Sequence, residues 1–154
     1  MTTDKIIIYT DGGCSPNPGP GGWAAVLISP SHDGYTKELS GAEPETTNNR
    51  MELTAAIRAL RELKQPSIVE LNTDSQYLKN AFTQGWIDNW LRNGWRSAGK
   101  KPVKNIDLWK ELIELDDKHT IEWKWVKGHA NNRYNERCDQ LVAQARDKLR
   151  KTTL

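Results

Sequence analysis

Residues 5–29, KIIIYTDGGCSPNPGPGGWAAVLIS, decide how the fold begins. KIIIYT, Lys5–Thr10, is short, apolar and β-branched, which predicts a buried strand. GWAAVLIS, Gly22–Ser29, predicts a second strand, and the Gly/Pro-rich stretch between them predicts a turn. Asp11 follows the first strand at once, with Gly12 and Gly13 behind it. A carboxylate at the end of a core strand is costly unless something pairs with it. The two glycines are expected to let the backbone turn away and another chain approach closely. What pairs with Asp11 is the question the remaining residues answer.

Working outward, Tyr35–Ser40 predicts a third, weaker strand, so three short strands form an antiparallel meander. NNRMELTAAIRALRELK, residues 48–64, then switches to helical period, with Leu53, Ala56, Ile57, Leu60 and Leu63 on one face. Ser67–Asn72 is a short strand, and helices are expected over residues 75–84, 85–95 and 105–119. TIEWKWVKG, residues 120–128, alternates Ile121, Trp123 and Trp125 as a strand does, and residues 135–149 close the chain as a helix. A helix between the third and fourth strands permits a parallel crossover. The fold class is therefore α/β (mixed α+β), a five-stranded mixed sheet flanked by helices. Ligands in such sheets gather at the carboxyl ends of strands.

With 154 residues and no linker, repeat or low-complexity tract, the chain reads as a single domain, residues 1–154. No secretory h-region or membrane-length apolar run is present, and two cysteines make no disulfide framework. The expectation is a soluble cytoplasmic protein with free thiols. The net charge of +2 is bland, but its distribution is uneven. Between Asn89 and Ile106 there is no acid, while Arg92, Arg96, Lys100, Lys101 and Lys104 stand among Trp90 and Trp95. A local basic stretch with interleaved tryptophans suggests an anionic partner; the alternative is a solvated surface over tryptophans that are simply core.

Four acids fall at element boundaries beside core residues: Asp11 after the first strand, Glu52 in the first turn of a helix, Asp74 after the fourth strand, and Asp139 early in the last helix. Each has a plainer reading. Asp11 could be a turn residue, Glu52 the far half of a capping box from Asn49, Asp74 an N-cap, and Asp139 a dipole-favoured acid in a first helical turn. If the first and fourth strands are parallel neighbours, Asp11 and Asp74 meet at one edge of the sheet. The case for chemistry rests on the four together.

TDGGCSPNPGPGGWAAVL, TTNNRMELTAAIRAL, NTDSQYLKN, KPVKNIDLW and WVKGHANNRYNERCDQLV, in this order and spacing, resemble bacterial type 1 ribonuclease H. The resemblance runs from about Ile6 to Ala145. It implies the ribonuclease H-like fold, with three antiparallel strands followed by two parallel ones. It also implies a magnesium-dependent endonuclease, with manganese a possible substitute. Such an enzyme cuts the RNA strand of RNA/DNA hybrids, leaves 5′-phosphate and 3′-hydroxyl ends, and works as a monomer away from membranes. The alternatives are a catalytically idle hybrid-binding module and a same-fold nuclease acting on DNA. The family's metal ligands match Asp11, Glu52, Asp74 and Asp139, and its mobile-loop histidine matches His129.

Phosphodiester hydrolysis by two metal ions activates a water and neutralises the leaving oxygen, and hard oxygen ligands suit magnesium. Four close carboxylates without metal would repel, and some would take up protons. By resemblance, Asn17, Asn48 and Gln76 face the RNA strand, whose 2′-hydroxyl distinguishes it from DNA, with backbone amides of the GGC turn that includes Cys14 able to join them, and Asn49 also binds substrate. The DNA strand lies against Trp86 and a phosphate pocket holding Thr47 and Asn105. Lys100 and Lys101 belong to a basic substrate-handling protrusion. Glu45 and Leu91 stand where some relatives carry basic residues.

Overall fold

The computed structural model describes residues 5–127 and 132–152. Its sheet runs in the order β3-β2-β1-β4-β5. β1 (Lys5–Cys14), β2 (Gly19–Ser29) and β3 (Tyr35–Thr46) form the antiparallel meander, while β4 (Ile68–Thr73) and β5 (Thr120–Trp125) join in parallel. The helices are α1 (Asn48–Arg61), α2 (Gln76–Thr83), α3 (Trp86–Asn93), α4 (Ile106–Lys118) and α5 (Arg133–Thr152). The order of elements is that predicted.

β2 shows why the sheet has two covered faces. Its residues Gly21–Ile28 are all buried, and successive side chains alternate between faces. Ala25 and Leu27 enter a core with Leu53, Ala56, Ile57 and Leu60 of α1, Leu78 of α2, and Trp109 and Leu112 of α4. Ala24, Val26 and Ile28 enter a second core with Cys138, Leu141 and Val142 of α5. The period-3.6 stripe of α1 buries Leu53, Ala56, Ile57 and Leu60. Trp90 and Trp95, partly buried, pack against the first core with their rings 5.9 Å apart. Among the described residues, no helix is long and apolar enough to cross a membrane.

The first strand differs from expectation in a way that matters. It does not end at Thr10: pairing with β2 continues from Ile7↔Ile28 through Asp11↔Ala24 and Gly12↔Trp23 to Cys14↔Gly21. Asp11 therefore lies within β1, and the chain reverses at residues 15–18 instead. What does end at Thr10 is the parallel ladder, whose last pair is Thr10↔Thr73. Gly12 is needed for another reason than a turn. A Cβ there would run into the backbone of Met51 and lie 2.7 Å from Glu52 N, so only glycine lets the start of α1 seat against β1. β3 likewise outruns its predicted end at Ser40, because β2 offers partners as far as Gly19↔Thr46.

Candidate active site

The parallel pairing of β1 with β4 sets Thr10 beside Thr73, so the following residues, Asp11 and Asp74, leave the ladder side by side. Glu52 comes from α1, which Gly12 allows to approach. One carboxylate oxygen from each of Asp11, Glu52 and Asp74 lies within 4.8 Å of the others. The Gly12 N–H donates to both Asp11 Oδ1 (2.9 Å) and Glu52 Oε1 (2.7 Å). Thr73 Oγ1 donates to Glu52 Oε2 at 3.4 Å and itself accepts from Ser75 N at 3.0 Å. The indole N–H of Trp125 donates to the Asp74 carbonyl at 3.1 Å, tying β5 to the same corner.

The helix caps decide between the plain readings of two of these acids. Thr47, not Asn49, caps α1, its Oγ1 accepting from Arg50 N, and Glu52 is buried at 7% exposure with its oxygens turned to Gly12 and Thr73. Ser75, not Asp74, caps α2, accepting from Leu78 N. Asp139 is the seventh residue of α5 and exposed, while the acid of that helix's first turn is Glu136.

Electrostatically the cluster is strained. Burial pushes the Asp11 carboxyl up to about 6, and the negative charge of Asp74 adds to it. A hydrogen bond shared with Glu52 and the Gly12 N–H pull the other way, and Asp139 contributes a weaker upward push. Glu52 is raised well above the usual carboxylate range, by burial first and then by Asp74 and Asp11. Asp11 and Glu52 thus both hold a proton more tightly than ordinary carboxylates, a strain that a divalent cation relieves. The donor set is carboxylate oxygen throughout, which suits a hard cation. Asp139 stands outside this tight group, near enough for its charge to reach Asp11. His129 lies outside the described residues.

The residues expected to meet substrate form two groups. In the first, Asn48 Oδ1 accepts from Cys14 N (2.8 Å), while Asn17 Oδ1 accepts from Asn48 N (3.2 Å) and Cys14 Sγ (3.3 Å). The amide oxygens of both asparagines are spent on fixing this corner. Cys14 itself is buried, and Asn49 and Gln76 are exposed in the first turns of α1 and α2. In the second group, Asn105 precedes α4 with a left-handed φ of 64° and accepts from Arg50 Nη1 at 3.2 Å. Trp86 opens α3, its ring 6.3 Å from that of Tyr77. Lys100 and Lys101 are exposed on a tight loop closed by an Arg96–Pro102 bridge.

Sequence reasoning missed Arg50, whose guanidinium also grips Asp107 through both terminal nitrogens (3.1 and 2.8 Å). A cation in the first turn of a helix runs against the helix dipole, and that was the available signal.

This architecture and carboxylate corner have counterparts. The RNase H family model matches residues 3–147. The Ribonuclease H of Chlorobium luteolum is 57% identical over 141 residues, spanning 92% of this chain and 94% of its own. That of Moorella thermoacetica is 57% identical over 147 residues, spanning 96% and 95%. Among solved structures, LC9-RNase H1, a type 1 RNase H with the type 2 active-site motif, aligns with a TM-score of 0.83 at 30% identity over 96% of this chain and 74% of that one. LC11-RNase H1 in complex with an RNA/DNA hybrid aligns at 0.66 and 28% identity, over 94% and 98%. The chain belongs to the ribonuclease H family.

Proposed function

We propose that the chain works as one catalytic domain that hydrolyses the RNA strand of RNA/DNA hybrids, leaving 5′-phosphate and 3′-hydroxyl ends. The observation that carries this is the convergence of Asp11, Glu52 and Asp74 within 4.8 Å, in a family member whose fold matches a hybrid-bound relative. Asp11, Glu52, Asp74 and Asp139 are the residues that would hold two magnesium ions, or manganese in their place. The bound ions would supply activation of the attacking water and neutralisation of the leaving oxygen.

The chain's own part is mostly positioning. Asp11 sits on the rigid β1 ladder and shares the Gly12 N–H with Glu52, so two ligands move as one unit. The Glu52 proton, retained while the cluster is unneutralised, must leave on loading; metal binding is therefore expected to weaken as pH falls. His129 is assigned the movement of a proton at the site. Asn17, Asn48 and Gln76 read the RNA strand by amide contacts in the minor groove, where the 2′-hydroxyl is displayed. Asn17 and Asn48 keep their Nδ2 donors for that purpose, since their oxygens are already spent. Thr47, Asn105 and Trp86 meet the DNA strand, and Lys100 and Lys101 grip phosphate. Thr47 Oγ1 accepts from Arg50 N, which leaves its hydroxyl proton for a phosphate oxygen.

The test is cleavage of an end-labelled RNA/DNA hybrid with magnesium, with and without chelator, beside duplex DNA and duplex RNA. Cleavage of the RNA strand of the hybrid alone, lost in chelator, is expected. Binding without cleavage in magnesium would mark an idle hybrid-binding module. Cleavage of duplex DNA would mark the other same-fold activity.

A further inference from the structure

Tyr77 lies in the first turn of α2, and its phenol oxygen accepts two hydrogen bonds. Asn105 Nδ2 donates at 3.2 Å and Trp109 Nε1 at 3.1 Å. A phenol oxygen has two lone pairs, so both are used. Trp109 is fully buried, which fixes the position of that oxygen. On the other side of Asn105, Arg50 Nη1 donates to Oδ1 while both Arg50 terminal nitrogens are held by Asp107. A guanidinium only donates, so the amide oxygen must be the atom facing Arg50 and the amide nitrogen the atom facing Tyr77. The Asn105 amide is thereby locked at both ends, although it makes no cap bond to its own helix. Its nitrogen carries two hydrogens, of which Tyr77 takes one; the other has no acceptor among the described residues.

We propose that Tyr77 is a positioning residue for substrate: its phenol oxygen orients the Asn105 amide so that the remaining N–H meets a phosphate oxygen of the DNA strand. This rests on the reading that Asn105 faces that strand. The fixed order is Trp109, Tyr77, Asn105, substrate, and each link is a donated N–H. A ring serving only to pack against Trp86 (6.3 Å) and Trp109 (5.2 Å between centroids) would need no hydroxyl.

Tyr77→Phe separates the two roles, because it keeps the ring and removes the oxygen. Steady-state cleavage of the hybrid should show KM raised about 3- to 10-fold, the worth of one hydrogen bond, with kcat within about twofold of the parent. The salt dependence of binding should not change, since no charge is lost. In an Asn105→Ala background, Tyr77→Phe should add nothing further to KM. An unchanged KM in Tyr77→Phe, beside a raised KM in Asn105→Ala, overturns the proposal. So does an equal rise in both backgrounds. If Asn105→Ala itself leaves KM unchanged, the reading of Asn105 fails and the proposal with it, while RNA cleavage persists. Should Tyr77→Phe fold poorly, KM is read at a temperature below the variant's Tm, because KM does not depend on the concentration of folded enzyme.

Discussion

Replacing Asp11 by asparagine should abolish cleavage and yet stabilise the metal-free protein at neutral pH. In the folded chain the Asp11 carboxyl is pushed from its ordinary 3.8 up to about 6, mainly by burial and by Asp74. A group whose folded pKa is raised favours the folded state while protonated, and that advantage is lost as pH rises through the folded value. Relative to strongly acidic solution, ionising Asp11 at pH 7.5 costs the fold about 3 kcal/mol, at 1.36 kcal/mol per tenfold change in proton affinity. At pH 4.5 the cost is only about 1 kcal/mol, because the folded carboxyl still holds its proton. The uncharged amide of Asp11→Asn carries no such cost and keeps Oδ1 as the acceptor for the Gly12 N–H, but it replaces the second carboxylate oxygen by a donor, a change worth about 1 kcal/mol. The net gain at pH 7.5 is therefore about 1–3 kcal/mol, or about 2–10 °C in Tm for a chain of this size. Thermal unfolding in chelator at pH 7.5 and pH 4.5 measures it, and the gain should shrink towards the lower pH. Adding magnesium should stabilise the parent by mass action and largely erase the difference. A variant no more stable than the parent at pH 7.5, or equally stabilised at both pH values, would refute the strained-cluster argument.

Three further outcomes are expected. Gly12→Ala should cost about 1–3 kcal/mol or more, since the added methyl overlaps the Met51 backbone; urea unfolding reads the loss, and unchanged stability would contradict the close seating of α1. Thr73→Val should lower kcat by about tenfold, by removing the donor to Glu52 Oε2 and the acceptor for Ser75 N, while Thr73→Ser keeps both; equal activity in the two variants would dismiss the contact. Converting Lys100 and Lys101 to alanine should lower the slope of log affinity against log salt by about 1.5; hybrid binding titrated in chelator checks it, and an unaltered slope would remove the loop from the interface.

How far the site was legible from sequence depends on the range of the forces involved. The strands and helices follow from periodicity, because each needs only its own residues. The meeting of Asp11 with Asp74 was also foreseeable, because a parallel β1–β4 pair brings residues that follow paired positions to one edge. The end of β1 was misjudged because GG reads locally as a breaker, whereas Gly12 answers to Met51, which arrives from α1 on the far side of β2 and β3 in the chain. The caps shifted by a residue or two for a related reason. Thr47 and Ser75 take the capping role, which leaves Glu52 and Asp74 free to turn towards Asp11. Tyr77 and Arg50 act through bonds spanning 28 and 55 residues, and nothing in their neighbours in sequence announces those partners.

The four acids recognised together in the sequence divide into three and one, and the division follows the layers. Asp11 comes from β1, Asp74 from the residue that follows β4, and Glu52 from α1 on one face. Asp139 stands exposed on α5, which packs against the opposite core through Cys138, Leu141 and Val142. Burial and mutual charge raise the proton affinity of Asp11 and Glu52, whereas Asp139 reaches the cluster from the exposed side of the other layer. On loading, Glu52 must release the proton that burial and its neighbours' charge hold on it. Titrating the metal-free protein with magnesium at pH 7 should therefore release protons, and the release should fall sharply in Glu52→Gln, while Asp139→Asn should weaken binding. Release that persists in Glu52→Gln would place the proton on another group and undo the assignment.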